Sequence, residues 1–147
     1  MVTVRRAGME DLPALNHLET VCFSLPWSDN TLREMLESPL DTVWAAVTPN
    51  RRTAAYLDYR EVAGEGELMR VCVDPAFRGR HFGRMMVETM LREAKRRGVT
   101  AVTLEVRASN APALRLYENC GFRREAVRTD YYDSPKEDAI IMWRREG

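Results

Sequence analysis

A chain of 147 residues is long enough for one domain with a real core and too short for two ordinary ones. Hydrophobic residues make up 45% and charged residues 30%, with 8 Gly and 7 Pro, which excludes a disordered or fibrous chain. The 22 Lys plus Arg balance 22 Asp plus Glu, against a broad basic face gripping nucleic-acid phosphates.

Residues 2–6 alternate like an edge strand, and over residues 9–23 the spacing of Leu12, Leu15, Leu18 and Cys22 predicts an amphipathic helix. Pro26 in FSLPWSDN breaks that run, and Ser28 or Asp29 is placed to cap a second short helix over residues 31–37. Residues 43–47 and 53–61 read as a hairpin turning at TPNRR, and AGEGE leads into a strand over residues 68–73. A turn carrying Arg78, Arg80 and Arg84 around Gly79 and Gly83 then opens a long amphipathic helix. After it, VTAVTLEVRAS is β-rich, Ser109 or Asn110 can cap the helix APALRLYEN with Pro112 in its first turn, and Gly121 suits the left-handed residue ending it. FRREAVRTDYY and EDAIIMWRR are the last strands, separated by DSPK. The order βααβββ-α-β-α-ββ predicts one α/β sheet in a single domain over residues 1–147.

Cys22, Cys72 and Cys120 lack CxxC spacing, and His17 and His81 sit near none of them, so neither a disulfide framework nor a metal site is expected. The start has no signal-peptide core, and no apolar run approaches the roughly 20 residues that span a bilayer. The expectation is a soluble cytoplasmic protein with no membrane or nucleic-acid partner.

A helix start presents unpaired N–H groups and a partial positive charge, so basic residues there are unfavourable unless an anion offsets them. The turn at Arg78, Arg80 and Arg84 is therefore suited to a phosphate or pyrophosphate, which glycines allow to approach closely. The alternative is an ordinary solvated helix start. GxxxxGK[ST] is absent, and the spacing of Gly79 and Gly83 is GxxxG rather than GxGxxG, although Glu105 lies about 20 residues further on, where a ribose-binding acid would stand.

The segment RGRHFG, Arg78, Gly79, Arg80, His81, Phe82 and Gly83, resembles the (Q/R)-x-x-G-x-(G/A) pyrophosphate loop of the GNAT N-acetyltransferases, and the element order is similar too. LEVRASN, APALRLYENCGF, EDAIIM and LPWS together look like the RimI-type subgroup of that family, whose members acetylate the N-terminal alanine of a small-subunit ribosomal protein. The resemblance implies the acyl-CoA N-acyltransferase fold, a mixed sheet of about seven strands flanked by about four helices, with acetyl-CoA as co-substrate and a protein N-terminus as partner. The loop's fourth position, usually Gly, is His81 here, and His accepts positive φ less readily.

Acetyl transfer to an amine needs a base for the amine, a polarised carbonyl, and a proton for the departing thiolate. Along AVTLEVR, Thr103, Glu105 and Arg107 share one face, so Glu105 can reach a cleft or simply pair with Arg107 in solvent. The resemblance makes Glu105 the water-mediated general base and Tyr117 the general acid. Spacing alone reads Tyr117 as an i, i+3 packing partner of Leu114. By the same resemblance the strand carrying Val71 and Val73 pairs with pantetheine and polarises the carbonyl, and Asn110 contacts the pantetheine arm, although a helix cap explains Asn110 too. His81 reads as a turn residue rather than a base, Cys72 and Cys120 as small buried residues, and the acetyl-CoA site as Val71, Val73, Asn110 and the turn from Arg78 to Arg84.

FSLPWS and RTDYYDSPKED are irregular and aromatic, fit to wall a peptide groove with Trp27, Tyr131 and Tyr132; Asp130, Asp133, Glu137 and Asp138 either attract a basic tail or stay solvated. Two rival readings remain: the same chemistry on other N-termini or small amines, and a non-catalytic acyl-CoA-binding module.

Overall fold

The computed structural model describes residues 2–146. The strands are β1 (Thr3–Arg6), β2 (Asp41–Val47), β3 (Thr53–Val62), β4 (Glu65–Val73), β5 (Ala101–Arg107), β6 (Arg123–Tyr132) and β7 (Glu137–Arg145). The helices are α1 (Leu12–Cys22), α2 (Asp29–Glu37), α3 (Phe82–Arg96) and α4 (Ala111–Asn119). Short 3-10 turns at Met9–Asp11 and Pro75–Phe77 precede α1 and α3. The expected element order and the mixed seven-stranded sheet are thus both present.

Local signals act as read. Ser28 Oγ accepts the Thr31 amide at 3.1 Å and caps α2, Asn110 Oδ1 accepts the Ala113 amide at 3.2 Å and caps α4, and Gly121 ends α4 with φ 94°. β4 begins three residues earlier than expected, at Glu65, because the turn is confined to Ala63 and Gly64.

The sheet runs β1-β2-β3-β4-β5-β7-β6, antiparallel except where β4 meets β5. One apolar cluster packs Leu15, Leu18, Leu32 and Met35 of α1 and α2 on Val43, Tyr56 and Cys72; a larger one packs Met86, Met90, Leu114 and Tyr117 of α3 and α4 on Leu57, Leu68, Leu104 and Met142. The helix pairs therefore cover opposite faces, and each buried aliphatic side chain contributes about 1.5–3 kcal/mol.

Two irregularities position the site. Parallel pairing of β4 with β5 covers Gly66↔Val102 and Glu67↔Thr103, after which the strands diverge and leave a gap. The register of β3 with β4 also slips between Asp58↔Arg70 and Tyr59↔Leu68, leaving Met69 as an extra residue in a bulge. Leu68 and Val71 consequently both face α3, while Glu67, Arg70 and Cys72 face α1.

Candidate active site

The gap between β4 and β5 joins two clefts. The first, about 760 Å³, lies toward α3 and α4 and is lined by Val71, Val73, Arg78, Gly79, His81 and Arg84 among others. The second, about 550 Å³, is walled by the loop after α1 and by the β6–β7 turn, with Trp27, Glu67, Arg70, Glu105, Tyr131 and Tyr132 on its surface. Phe23, Val71, Asn110, Ala113 and Tyr117 line both.

At the mouth of the first cleft the chain takes two left-handed residues, Gly79 at φ 81° and His81 at φ 63°. His81 thus keeps the conformation usually given to glycine, at a cost of about 1–2 kcal/mol. It also stands as the N-cap of α3 with no side-chain cap bond, which leaves the first N–H groups of the helix open. A Cβ on Gly83 would stand 3.3 Å from Leu116 Cδ2, so glycine lets α3 and α4 close together beneath the turn.

The arginines divide. Arg78 Nε donates to Val73 O at 3.2 Å, Arg84 pairs with Glu88 at 3.3 Å, and both line the cleft; Arg80 lies over the Phe77 ring, 5.6 Å from its centroid, outside the lining. Phe82 is core, so its backbone alone is available to an anion. Arg78 charge also reaches Cys22, whose thiol pKa is lowered, first by a hydrogen bond with Cys72. Cys72 itself is buried, as expected.

In the second cleft Glu105 projects from β5 with its side chain 24% exposed and pairs with Arg128 rather than Arg107, Oε1 to Nη2 3.9 Å. Its carboxylate raises the Tyr131 phenol, by hydrogen bonding first and charge second. Tyr132 is pushed up to about 12 by burial and then by Glu105, and Tyr131 meets it edge-on at 5.1 Å. Arg107 instead organises the β6–β7 turn: it donates to Pro135 O at 3.0 Å and Asp133 O at 3.1 Å, pairs with Glu137, and lies over Tyr132. Glu137 also accepts the Ser109 amide and Asp138 the Asp130 amide, so these acids brace the turn.

Tyr117 is 7% exposed, packs edge-on against Phe122, and turns toward both clefts; burial, more than its neighbours Tyr132 and Cys120, pushes its pKa up. The phenol therefore stays protonated at any ordinary working pH and can donate. Sequence reasoning had named the FSLPWS segment that Phe23 opens but missed Glu67, whose pKa is raised by burial and then by Glu105, together with Met69, Arg70 and the Glu19 that Arg70 pairs with. A regular alternation through ELMRVCV places Glu67 and Arg70 on opposite faces; the bulge at Met69 brings them to one. Among the described residues no cluster of three or more His, Cys, Asp or Glu side chains could hold a metal.

The geometry offers an open helix start beside arginines, an unpaired strand edge, a carboxylate and a protonated phenol around one gap. Residues 12–122 match the model of the acetyltransferase (GNAT) family. The chain is 37% identical over 145 residues, 97% of its length and 96% of the relative's, to the [ribosomal protein bS18]-alanine N-acetyltransferase of Escherichia coli (strain K12), and 39% identical over the same shares to that of Salmonella typhimurium. The crystal structure of the ribosomal-protein-S18-alanine N-acetyltransferase from Escherichia coli superposes with a TM-score of 0.93 at 34% identity, covering 99% of this chain and 94% of the other. This chain, with its seven-stranded sheet opened between β4 and β5, belongs to the acetyltransferase (GNAT) family.

Proposed function

We propose that the chain transfers the acetyl group of acetyl-CoA to the N-terminal α-amine of a protein, the alanine of ribosomal protein bS18, by direct attack in a ternary complex. The observation that carries this reading is the β4–β5 gap, where Glu105 and Tyr117 line one cleft and Tyr117 also lines the cleft that runs to the glycine and arginine turn. The acceptor follows from the relatives, both bS18-alanine acetyltransferases across nearly their whole length.

The open N–H groups at the head of α3, with Arg78 and Arg84 beside them, suit a pyrophosphate. The edge of β4 at Val71 and Val73, free of β5, suits the amides of a pantetheine arm, and Asn110 at the shared wall borders the same path. Trp27, Tyr131 and Tyr132 flank the acceptor's entry.

Glu105 takes a proton from the incoming amine through water. The amine nitrogen bonds to the thioester carbonyl carbon, whose oxygen a β4 amide polarises, and the carbon–sulfur bond then breaks. Tyr117 gives its proton to the leaving sulfur, its phenolate regains one from the acylated nitrogen through water, and Glu105 releases its own to solvent, so the products are an N-acetyl peptide and free CoA thiol. The acceptor implies a cytoplasmic location, and among the described residues no helix is long and apolar enough to cross a membrane.

Fragmentation mass spectrometry of an alanine-initiated peptide with a basic tail, incubated with acetyl-CoA and the protein, tests the reading. Acetyl on the α-amine is the expected result. Acetyl confined to lysine side chains or to small amines would overturn the acceptor, and acetyl-CoA binding without any turnover would favour a binding module.

A further inference from the structure

The acceptor wall after α1 has little to hold it. From Ser24 to Trp27 the loop is irregular, Leu25 is 63% exposed, and among the described residues the one hydrogen bond given to this backbone is Trp27 N–H to Glu19 Oε1, 2.7 Å. Glu19, on α1, is itself 1% exposed and accepts from four donors: the Trp27 amide, the Tyr56 hydroxyl, Arg70 Nη2 at 2.6 Å and Arg70 Nε at 3.1 Å. Arg70 then extends past the carboxylate. Its guanidinium carbon lies 3.5 Å from the centroid of the Phe23 ring and 4.5 Å from that of Trp27, the two aromatics that begin and end the loop.

We propose that Arg70 is a positioning residue for acetyl transfer: clamped by Glu19 and stacked against Phe23 and Trp27, it fixes the 23–27 loop as the wall against which the acceptor's first residues are oriented. The proposal rests on the acetyltransferase reading given above. Three features distinguish it from mere neutralisation of a buried acid. Neutralisation needs one charge contact, whereas Arg70 makes a two-point contact and two stacking contacts at once, a use of the planar fork that lysine cannot reproduce. Arg70 itself lines the acceptor cleft and not the cleft toward α3, which it borders only through the Phe23 ring, so its influence falls chiefly on one substrate. The bulge at Met69 also spends a ladder position to turn Arg70 toward α1.

Arg70→Met alone leaves Glu19 charged and buried, which can unfold the chain, so the decisive variant is Glu19→Gln with Arg70→Met, in which charge and partner leave together. Steady-state kinetics with the alanine peptide should show the peptide KM raised about tenfold in this double variant through lost preorganisation. The acetyl-CoA KM stays within about twofold of wild type, because neither substituted side chain lines the other cleft. Arg70→Lys should fall between the two, keeping one charge contact and losing the flat stack. Amide hydrogen exchange over residues 23–28 should quicken in the double variant while α3 and β5 keep their protection. An unchanged peptide KM, or both KM values rising together with a lower melting temperature, would overturn the proposal. Should wild type fail to acetylate the peptide, the acetyltransferase reading fails with it; exchange over 23–28 that matches wild type would independently sink the clamp.

Discussion

At Tyr117 a phenol packed edge-on against Phe122, 6.0 Å between centroids, also borders both clefts. Leu114 and Tyr117 lie in the same core cluster, so the packing that i, i+3 spacing suggests is real and coexists with a place in the wall of both clefts. Tyr117→Phe keeps the ring contact and removes the donor. Its kcat should fall about 100-fold, with acetyl-CoA KM and melting temperature nearly unchanged. Loss of cofactor binding or of folded protein would instead make the residue structural. Around Glu105, strand alternation in AVTLEVR gave the face correctly but not the partner. Arg107 finds two carbonyls and Glu137 in the β6–β7 turn, and Arg128 approaches Glu105 from β6. Which cation serves an acid depends on contacts between distant segments, which local spacing does not encode.

At the scale of elements, caps and punctuation were legible because each acts within four residues: Ser28, Asn110 and Gly121 do what their chemistry predicts. The turn before α3 was legible as a glycine and arginine helix start for the same reason. His81 adopts φ 63° with an exposed side chain, so the strain of an L residue there is offset by few contacts of its own. His81→Gly should therefore raise stability by about 0.5–1 kcal/mol, the relief of left-handed strain less the extra entropy of an unfolded glycine. Thermal melting would show a rise of a few degrees; a lower melting temperature would mean that His81 makes contacts that outweigh the strain. The bulge in β4 was not legible. No residue type in ELMRVCV marks it, because it arises from pairing with β3, and it decides that Glu67 and Arg70 share a face.

Across the whole molecule, the sheet buries a titratable carboxyl that ties its stability to pH. Asp58 on β3 is 1% exposed, its Oδ1 has no hydrogen-bond partner among the described residues, and its pKa is pushed up to about 9, by burial first and then by the hydrogen bond and charge of Asp41. In an unfolded chain a carboxyl titrates near pH 4. Between about pH 4 and this raised value the native state holds a proton that the unfolded state has lost, so this group's contribution is complete below pH 4 and declines as pH rises toward about 9. The slope is at most about 1.4 kcal/mol per pH unit. Asp58→Asn keeps the shape without the ionisation; denaturant midpoints should lose much of their decline from pH 5 to 8 and exceed wild type at pH 8. An identical pH profile in both proteins would place the charge elsewhere.

The gap in the sheet, with its acid on one strand and its phenol on the helix beyond, is the feature on which the proposed acid–base mechanism rests. Single-turnover transfer from acetyl-CoA to the alanine peptide, measured for wild type and Glu105→Gln alongside acetyl-CoA affinity, tests that most directly. With Glu105 as the base, affinity stays unchanged and transfer slows about 100-fold or more, least so at high pH, where the amine is already deprotonated. Equal transfer rates in the two proteins would contradict it.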